Sequence, residues 1–198
     1  MDREIPVNYP TLLTVSGHAL LVDGSDMGVR KAIHRLHALG RVMEQVASGF
    51  GELNAISGVQ HQSLTAVQRL QGSRGVPVVE VAEYLRRSGT FVTLESTKLA
   101  RRGLLEKRSD AADGRRVLLR LTGEGHRLLT DLSPSKRIIN DLLFESLDRD
   151  KFQQLSDLLD VLLPNAEQAA GMLELLNKDR KRTKPAAAPQ AEAKKRAM

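Results

Sequence analysis

The sequence predicts a mainly α fold with a small β-hairpin wing, arranged as a winged helix-turn-helix lobe flanked by long amphipathic helices. Three observations carry this. Two short apolar-periodic segments, around Val78–Leu85 and Gly89–Arg102, are separated by only a few residues. The hydrophobic period changes from helical to two after Gly103. Long helical patterns precede and follow this block.

The elements follow in order. Residues 1–24 read as an irregular N-terminal extension, with Gly17, Gly24 and two prolines. Asp26 to Phe50 reads as a long helix whose Val29, Ile33, Leu36, Gly40, Met43, Ala47 and Phe50 form one apolar stripe. Ser63 to Leu70 reads as a shorter helix. Pro77 suits a first helical turn, and Val78, Val81, Ala82 and Leu85 recur at helical spacing behind it. Arg86 to Gly89 break the pattern, and Ser88 is a good N-cap for the next helix. That helix ends at Gly103, in the position favoured by a left-handed glycine. Leu104 to Leu121 reads as a hairpin: Ser109–Gly114 has turn chemistry, and Val117, Leu119 and Leu121 alternate with outward residues. Thr122 is the expected N-cap of a helix to Leu147, kinked at Pro134. Asp150–Leu163 is amphipathic and stops before Pro164, with a further short helix over Asn165–Leu176. The Pro/Ala/Lys segment from Lys178 has almost nothing to bury and is expected to be a disordered basic tail.

Two helices joined by so tight a turn form the unit that places its second helix in the major groove of duplex DNA. The motif order is specific. V-A-E-Y-L at Val81–Leu85 is followed by S-x-x-x-V-T from Ser88, and K-L-x-x-R-G-L from Lys98 comes next. D-x-x-D-G-R from Asp110 and L-T-x-x-G from Leu121 complete it. In this order the chain resembles the MarR family of bacterial transcription regulators. The match covers about Leu64 to Leu129 without insertion or deletion, and flanking helices extend it from about Asp26 to Leu163. The resemblance implies an obligate homodimer, usually a repressor, often released from DNA by a small phenolic or carboxylic ligand. The implied division is residues 1–24 as extension, 25–57 as dimerisation helix, 58–125 as DNA-binding domain, 126–177 as dimerisation helices and 178–198 as tail.

Composition agrees. The 198 residues carry 30 Lys+Arg against 24 Asp+Glu, a formal net charge of +6. Such a balance fits a polyanionic partner, although acidic membranes or acidic proteins suit it too. No apolar run is long enough to span a membrane, and the N-terminus lacks a secretory h-region. Absence of cysteine fits a cytoplasmic protein and excludes disulfides, Cys-based zinc sites and thiol sensing. No Walker loop, dinucleotide fingerprint or H-E-x-x-H motif is present, so no catalytic residue, metal or cofactor is assigned. Asp110 and Asp113 at an exposed hairpin tip do not form an acid/base pair.

The long first helix and the last helices cannot all bury their stripes within one small winged-helix core. The economical arrangement is a two-fold dimer with an intertwined helical lobe. Its recognition helices would lie about 34–36 Å apart over an inverted-repeat operator in double-stranded DNA. A larger monomeric helical domain is the alternative.

On a helical wheel Val92, Ser96 and Leu99 face the core, whereas Thr90, Thr93, Leu94, Thr97, Lys98 and Arg101 point away as candidate DNA contacts beside Ser88. Leu94 either meets a thymine methyl or packs on a neighbouring loop. It departs from the family, where a polar or basic residue is common, as does Glu95, where an apolar residue is common. At the wing, Arg115 is the candidate for minor-groove insertion and Arg116 for a phosphate contact. Asp113 braces the turn or holds an arginine, and Gly114 replaces an arginine of the family. A merely solvated basic hairpin is the alternative.

For the effector, the family places its site between the first two helices and the wing domain. Arg30, His34, His37 and Arg41 form a polar stripe on the first helix, and His61 sits just before the second. His34, His37, Arg41 and His61 are therefore the candidate ligands of an aromatic carboxylate or phenolic compound; a solvated face or a dimer contact is the alternative. His34 and His37 lack a third ligand for a metal. The rival function is a non-specific architectural or RNA-binding protein acting through the basic tail.

Overall fold

The computed structural model describes residues 12–183. These divide between Arg137 and Ile138 into two units.

In the first unit a 3₁₀ turn at His18–Leu20 precedes α1 (Met27–Glu52). The end of the extension is tied to this helix by a buried carboxylate. Asp26 accepts from both the backbone N–H and the hydroxyl of Thr14, at 2.7 and 2.5 Å, and from Nε of Arg30 at 2.9 Å. The guanidinium of Arg30, then the Thr14 donors, hold the Asp26 carboxyl well below the usual carboxylate range. Only the C-terminal end of α1 packs within the unit: Phe50 and Gly51 are buried, whereas Ile33, Leu36, Leu39, Val42 and Met43 are exposed.

The second helix, α2, spans Gly58–Leu70 and starts earlier than the predicted Ser63. The cause is a capping box that the sequence reading missed. Ser57 Oγ accepts from the Gln60 N–H, and Gln60 Oε1 accepts from the Ser57 N–H, each at 3.2 Å. His61 accordingly lies inside α2 rather than before it.

Helices α3 (Val78–Leu85) and α4 (Gly89–Arg101) form the helix-turn-helix. Pro77 is not in the first turn of α3 as predicted: it is extended, with ψ 143°, and occupies the N-cap. With Val76 it forms β1, a two-residue strand that the sequence did not reveal. Between α3 and α4 the chain turns at Arg86, which is left-handed at φ 53°. The N–H of Arg86 reaches Glu83 O and that of Arg87 reaches Ala82 O, the paired bonds that normally end a helix at glycine. As predicted, Ser88 caps α4, its hydroxyl accepting from the Phe91 N–H at 3.2 Å. The same paired closure ends α4 at Gly103, whose φ is 71°.

Strands β2 (Leu105–Ser109) and β3 (Val117–Leu121) form the predicted antiparallel hairpin, with Leu105 opposite Leu121 and Ser109 opposite Val117. Strand β1 adds to the other edge of β3, Val76 opposite Leu119, giving the order β1-β3-β2. Pro77 has no N–H to donate, which suits an edge. Past β1 the N–H of Leu121 is met instead by the side-chain oxygen of Gln71, at 2.8 Å and buried. The core lies between α2, α3, α4 and this sheet, with Leu64, Val67, Val81, Val92, Leu99 and Leu119 fully buried.

The predicted long helix after the wing is two helices, α5 (Gly123–Asp131) and α6 (Ser133–Phe144). Thr122 caps α5 as expected, accepting from the Gly125 N–H at 3.0 Å. Pro134 breaks rather than bends the element, because the first turn of a new helix needs no N–H at that position.

In the second unit, from Ile138, Phe144 and Phe152 meet edge to face with centroids 5.3 Å apart. Helix α7 (Arg149–Thr183) is capped by Asp148, which accepts from the Lys151 N–H at 2.9 Å. It runs through Pro164 without stopping at Leu163, so the separate helix expected over Asn165–Leu176 belongs to it. Ala, Leu, Glu and Gln on both sides sustain the helix across the lost hydrogen bond. It also continues past Lys178, where the tail was expected to begin; Arg180, Lys181 and Arg182 in the last turn favour the negative end of the helix dipole. Residues 184–198, the rest of the expected tail, and residues 1–11 of the extension lie outside the described residues.

The close approach of α5 to the start of the hairpin requires Gly125. A Cβ there would lie 2.2 Å from the carbonyl oxygen of Leu104. Gly125→Ala is expected to destabilise the fold by about 1–3 kcal/mol, measured as a lowered urea midpoint at unchanged slope.

Candidate nucleic-acid interface

Helix α4 buries one face and presents the other. Val92, Glu95, Ser96 and Leu99 are buried. Thr90, Thr93, Leu94, Lys98 and Arg101 are exposed, as the helical wheel required. Leu94 is 55% exposed, so it does not pack on a neighbouring loop. Along this face Thr90, Leu94, Lys98 and Arg101 follow one another at spacings of four, four and three residues, a single outward stripe.

Two of the predicted contacts are already engaged within the protein. The hydroxyl of Ser88 serves the cap of α4. Thr97 is only half-exposed; its hydroxyl donates to Thr93 O at 2.7 Å and accepts from Lys107 Nζ at 2.8 Å. Lys107, on β2, was missed by the sequence reading because strand alternation does not reveal that it bridges to α4. It ties the wing to the helix.

At the wing tip Asp113 does both things expected of it. One carboxylate oxygen accepts from the Arg115 N–H at 3.1 Å, and the other lies 3.5 Å from Nε of Arg116. Arg116 is therefore partly neutralised, while the exposed guanidinium of Arg115 has no protein partner among the described residues. Lys107, Arg115 and Arg116 border a cleft of ≈ 300 Å³ against the start of α3 and Thr93 of α4. Its basic rim can donate hydrogen bonds to a phosphate oxygen beside the outward face of α4.

Behind α4 a second missed residue completes the arrangement. Glu95 is 7% exposed. Its carboxylate accepts from Gln60 Nε2 of α2 at 3.0 Å and from Lys98 Nζ at 2.6 Å. The sequence marked Glu95 as unusual for the family, but its partner on α2 is 35 residues away and could not be read off. Arg87, in the turn, lies 5.8 Å from the Phe91 ring centroid and pairs with Glu44 of α1 at 3.3 Å.

The predicted effector residues do not form one site in the first unit. His34, His37 and Arg41 are exposed on α1. His37 and Arg41 border a shallow depression with Leu36, Gly40 and Glu44. His61 is buried, with its ring centroid 5.5 Å from that of Phe50. Phe50 lies about 20 Å further along α1 than His37, at about 1.5 Å per residue. Nδ1 of His61 is buried without a hydrogen-bond partner. Burial, and then the nearby cation of Lys136, push the His61 pKa down to about 4. Burial lowers the Lys136 pKa as well; its ammonium reaches Thr65 Oγ1 at 3.5 Å. No group of His, Asp or Glu suited to a metal ion occurs among the described residues, and no described helix is long and apolar enough to cross a membrane.

A family model for a winged helix DNA-binding domain matches residues 59–125. No curated protein matches the chain. Among solved structures, the chain resembles the MepR–DNA complex of S. aureus at 23% identity and TM-score 0.59, over 67% of this chain and 96% of that one. It resembles the PcaV transcriptional regulator of Streptomyces coelicolor, in complex with its natural ligand, at 27% identity and TM-score 0.54, over 65% and 91%. A MarR/EmrR family transcriptional regulator from Acinetobacter sp. ADP1 matches at 18% identity and TM-score 0.61, over 70% and 96%. The chain has the MarR-type winged-helix fold. The MarR resemblance read from the motifs around α3, α4 and the wing thus agrees with the three-dimensional match, and the matched domain is a DNA-binding one.

His61 makes folding pH-dependent in a definite direction. Its folded pKa of about 4 lies below the ordinary 6.5, so between these values the unfolded chain binds a proton that the folded chain does not. Stability from this residue is full above about pH 6.5 and is lost as the pH falls toward 4, by up to about 3 kcal/mol. Urea unfolding from pH 4 to 7 is expected to show this loss, and His61→Phe to flatten it; an equal pH slope in the variant would assign the effect elsewhere.

Proposed function

We propose that this protein is a homodimeric, sequence-specific transcriptional regulator of the MarR type, acting as a repressor that a small aromatic carboxylate or phenolic compound releases from DNA. The observation that carries the DNA-binding part is the outward stripe of α4 lying in the same unit as the basic wing, with Lys107, Arg115 and Arg116 bordering one cleft between them. Helix stripe and wing then engage adjacent grooves of one duplex: α4 enters the major groove, and Arg115 reaches into a narrow minor groove. The MepR complex with DNA supports this use of the fold.

Homodimerisation is supported by the apolar side chains that neither unit buries. Ile33, Leu36, Leu39 and Val42 on α1 are exposed, as are Leu158, Leu159, Leu162 and Leu163 on α7. Patches of this size mark interaction surfaces. A two-fold copy would match an inverted-repeat operator with half-sites one helical turn apart. The ligand part rests on the bound natural ligand of PcaV and on the exposed polar side chains of α1, His37 and Arg41 with His34 one turn before, which suit an anionic or phenolic group. A regulator working in this way acts where the DNA is, in the cytoplasm.

A competition mobility shift at near-physiological salt tests the reading. The probe is the DNA upstream of the protein's own gene, with excess unrelated duplex. A discrete band that survives competitor is expected. A smear abolished by competitor, and lost on deletion of residues 178–198, would favour the rival reading of a non-specific binder acting through its basic tail.

Arg115→Ala is expected to weaken operator binding by about 1–3 kcal/mol, most where the flanks are rich in A·T; equal affinity across such flanks would reject the minor-groove role. Arg41→Ala is expected to blunt release by aromatic acids such as salicylate, titrated in the same shift assay, at near-normal DNA affinity. Full release would remove α1 from the ligand site.

A further inference from the structure

The exposed stripe of α4 contains one side chain that is held in place from behind. Lys98 Nζ lies 2.6 Å from Glu95 Oε1, with Lys98 48% exposed and Glu95 9% exposed at the side chain. Glu95 Oε2 is in turn fixed by Gln60 Nε2 at 3.0 Å. The Gln60 amide is itself orientated, since its oxygen accepts from the Ser57 N–H in the α2 capping box. Its N–H group is thereby left to face Glu95, and both oxygens of the Glu95 carboxylate accept hydrogen bonds. The line from Ser57 through Gln60 and Glu95 to Lys98 ends in an ammonium in the middle of the Thr90–Leu94–Lys98–Arg101 stripe.

An unheld lysine is a mobile point charge that any phosphate attracts. Lys98 differs in two ways. One of its three donors is committed to Glu95, which restricts where the others point. Its charge is offset by a carboxylate a hydrogen bond away, so its pull on the DNA backbone is reduced while its remaining N–H groups stay available. In the major groove the acceptors suited to such a donor are O6 and N7 of guanine.

We propose that Glu95 is a positioning residue that turns Lys98 from a general phosphate anchor into a reader of a guanine edge, raising the preference of the protein for its operator over other DNA. This rests on the DNA-binding reading above. Glu95 itself does not touch DNA; it acts through Lys98.

The test compares wild type with Glu95→Gln, Lys98→Met and the double variant. Each is titrated over a series of salt concentrations against a duplex selected by the wild-type protein from a random-sequence pool, and against an unrelated duplex of equal length. Glu95→Gln keeps the shape and an acceptor oxygen but removes the charge. It is expected to tighten binding to the unrelated duplex, to steepen the salt dependence by about one ion and to lower the selected-to-unrelated ratio by about ten-fold. Lys98→Met, on the surface, is expected to cost about ten-fold or more on the selected duplex only, and to abolish the interference caused by methylating one guanine N7 in each half-site. In the Lys98→Met background Glu95→Gln is expected to leave the ratio unchanged, an outcome that a purely structural role for Glu95 would not give.

A Glu95→Gln variant with unaltered ratio and salt slope would overturn the proposal. So would equal losses on both duplexes, in the presence or absence of Lys98, since these mark a packing role alone. If the wild type selects no sequence from the pool, the regulator reading fails and this inference fails with it; if it selects one and the variants behave alike, this inference alone fails.

Discussion

Burial of Val92 and Leu99 in the core that α2, α3 and the sheet share is the constraint on which the rest depends. Both side chains are fully removed from solvent, worth about 1.5–3 kcal/mol each in transfer from water. With that face fixed, the helical period leaves no freedom about which residues face outward. The outward stripe is a consequence of core packing, and a rotation of α4 would have to expose one set of side chains to hide the other.

Polar contacts then fix what packing alone leaves loose. A short hairpin attached through β2 and β3 would be free to swing, but Lys107 reaches Thr97 of α4 and Gln71, the residue that closes α2, takes the N–H of Leu121. At the other end Thr122 donates to Gly103 O, joining the cap of α5 to the end of α4. The wing, α4 and α2 are thus tied to one another, and a buried carboxylate at Glu95 is tolerated because both of its oxygens are satisfied. Each of these bonds joins elements distant in sequence, and each needs the core to form first.

The remaining helices follow a different rule. Helix α1 packs through its last turns, and α7 carries its leucines in the open. Among its described residues this 35-residue amphipathic helix buries none, so its apolar face is left without a partner in its own unit. The winged-helix piece and these helices thus answer to separate demands: one is held by a local core, and the other draws little on burial within its own unit.

The sequence by itself determined whatever depends on near neighbours along the chain. The caps at Ser88 and Thr122, the left-handed glycine after α4, the hairpin with its turn and the inward set Val92, Ser96 and Leu99 are written in spacing and residue type, because each rests on hydrogen bonds or periodicities spanning a few residues. Tertiary structure alone decided the rest. It brought Glu95 to Gln60, and Lys107 to Thr97. It joined Val76 and Pro77 to an edge of β3. It buried His61 against Phe50, far from the α1 histidines with which the family resemblance had grouped it. It carried α7 through Pro164 because good helix formers on both sides outweighed one missing bond. These outcomes turn on which side chains the core forces into contact and on how dry that contact is, and no periodicity along the chain records either.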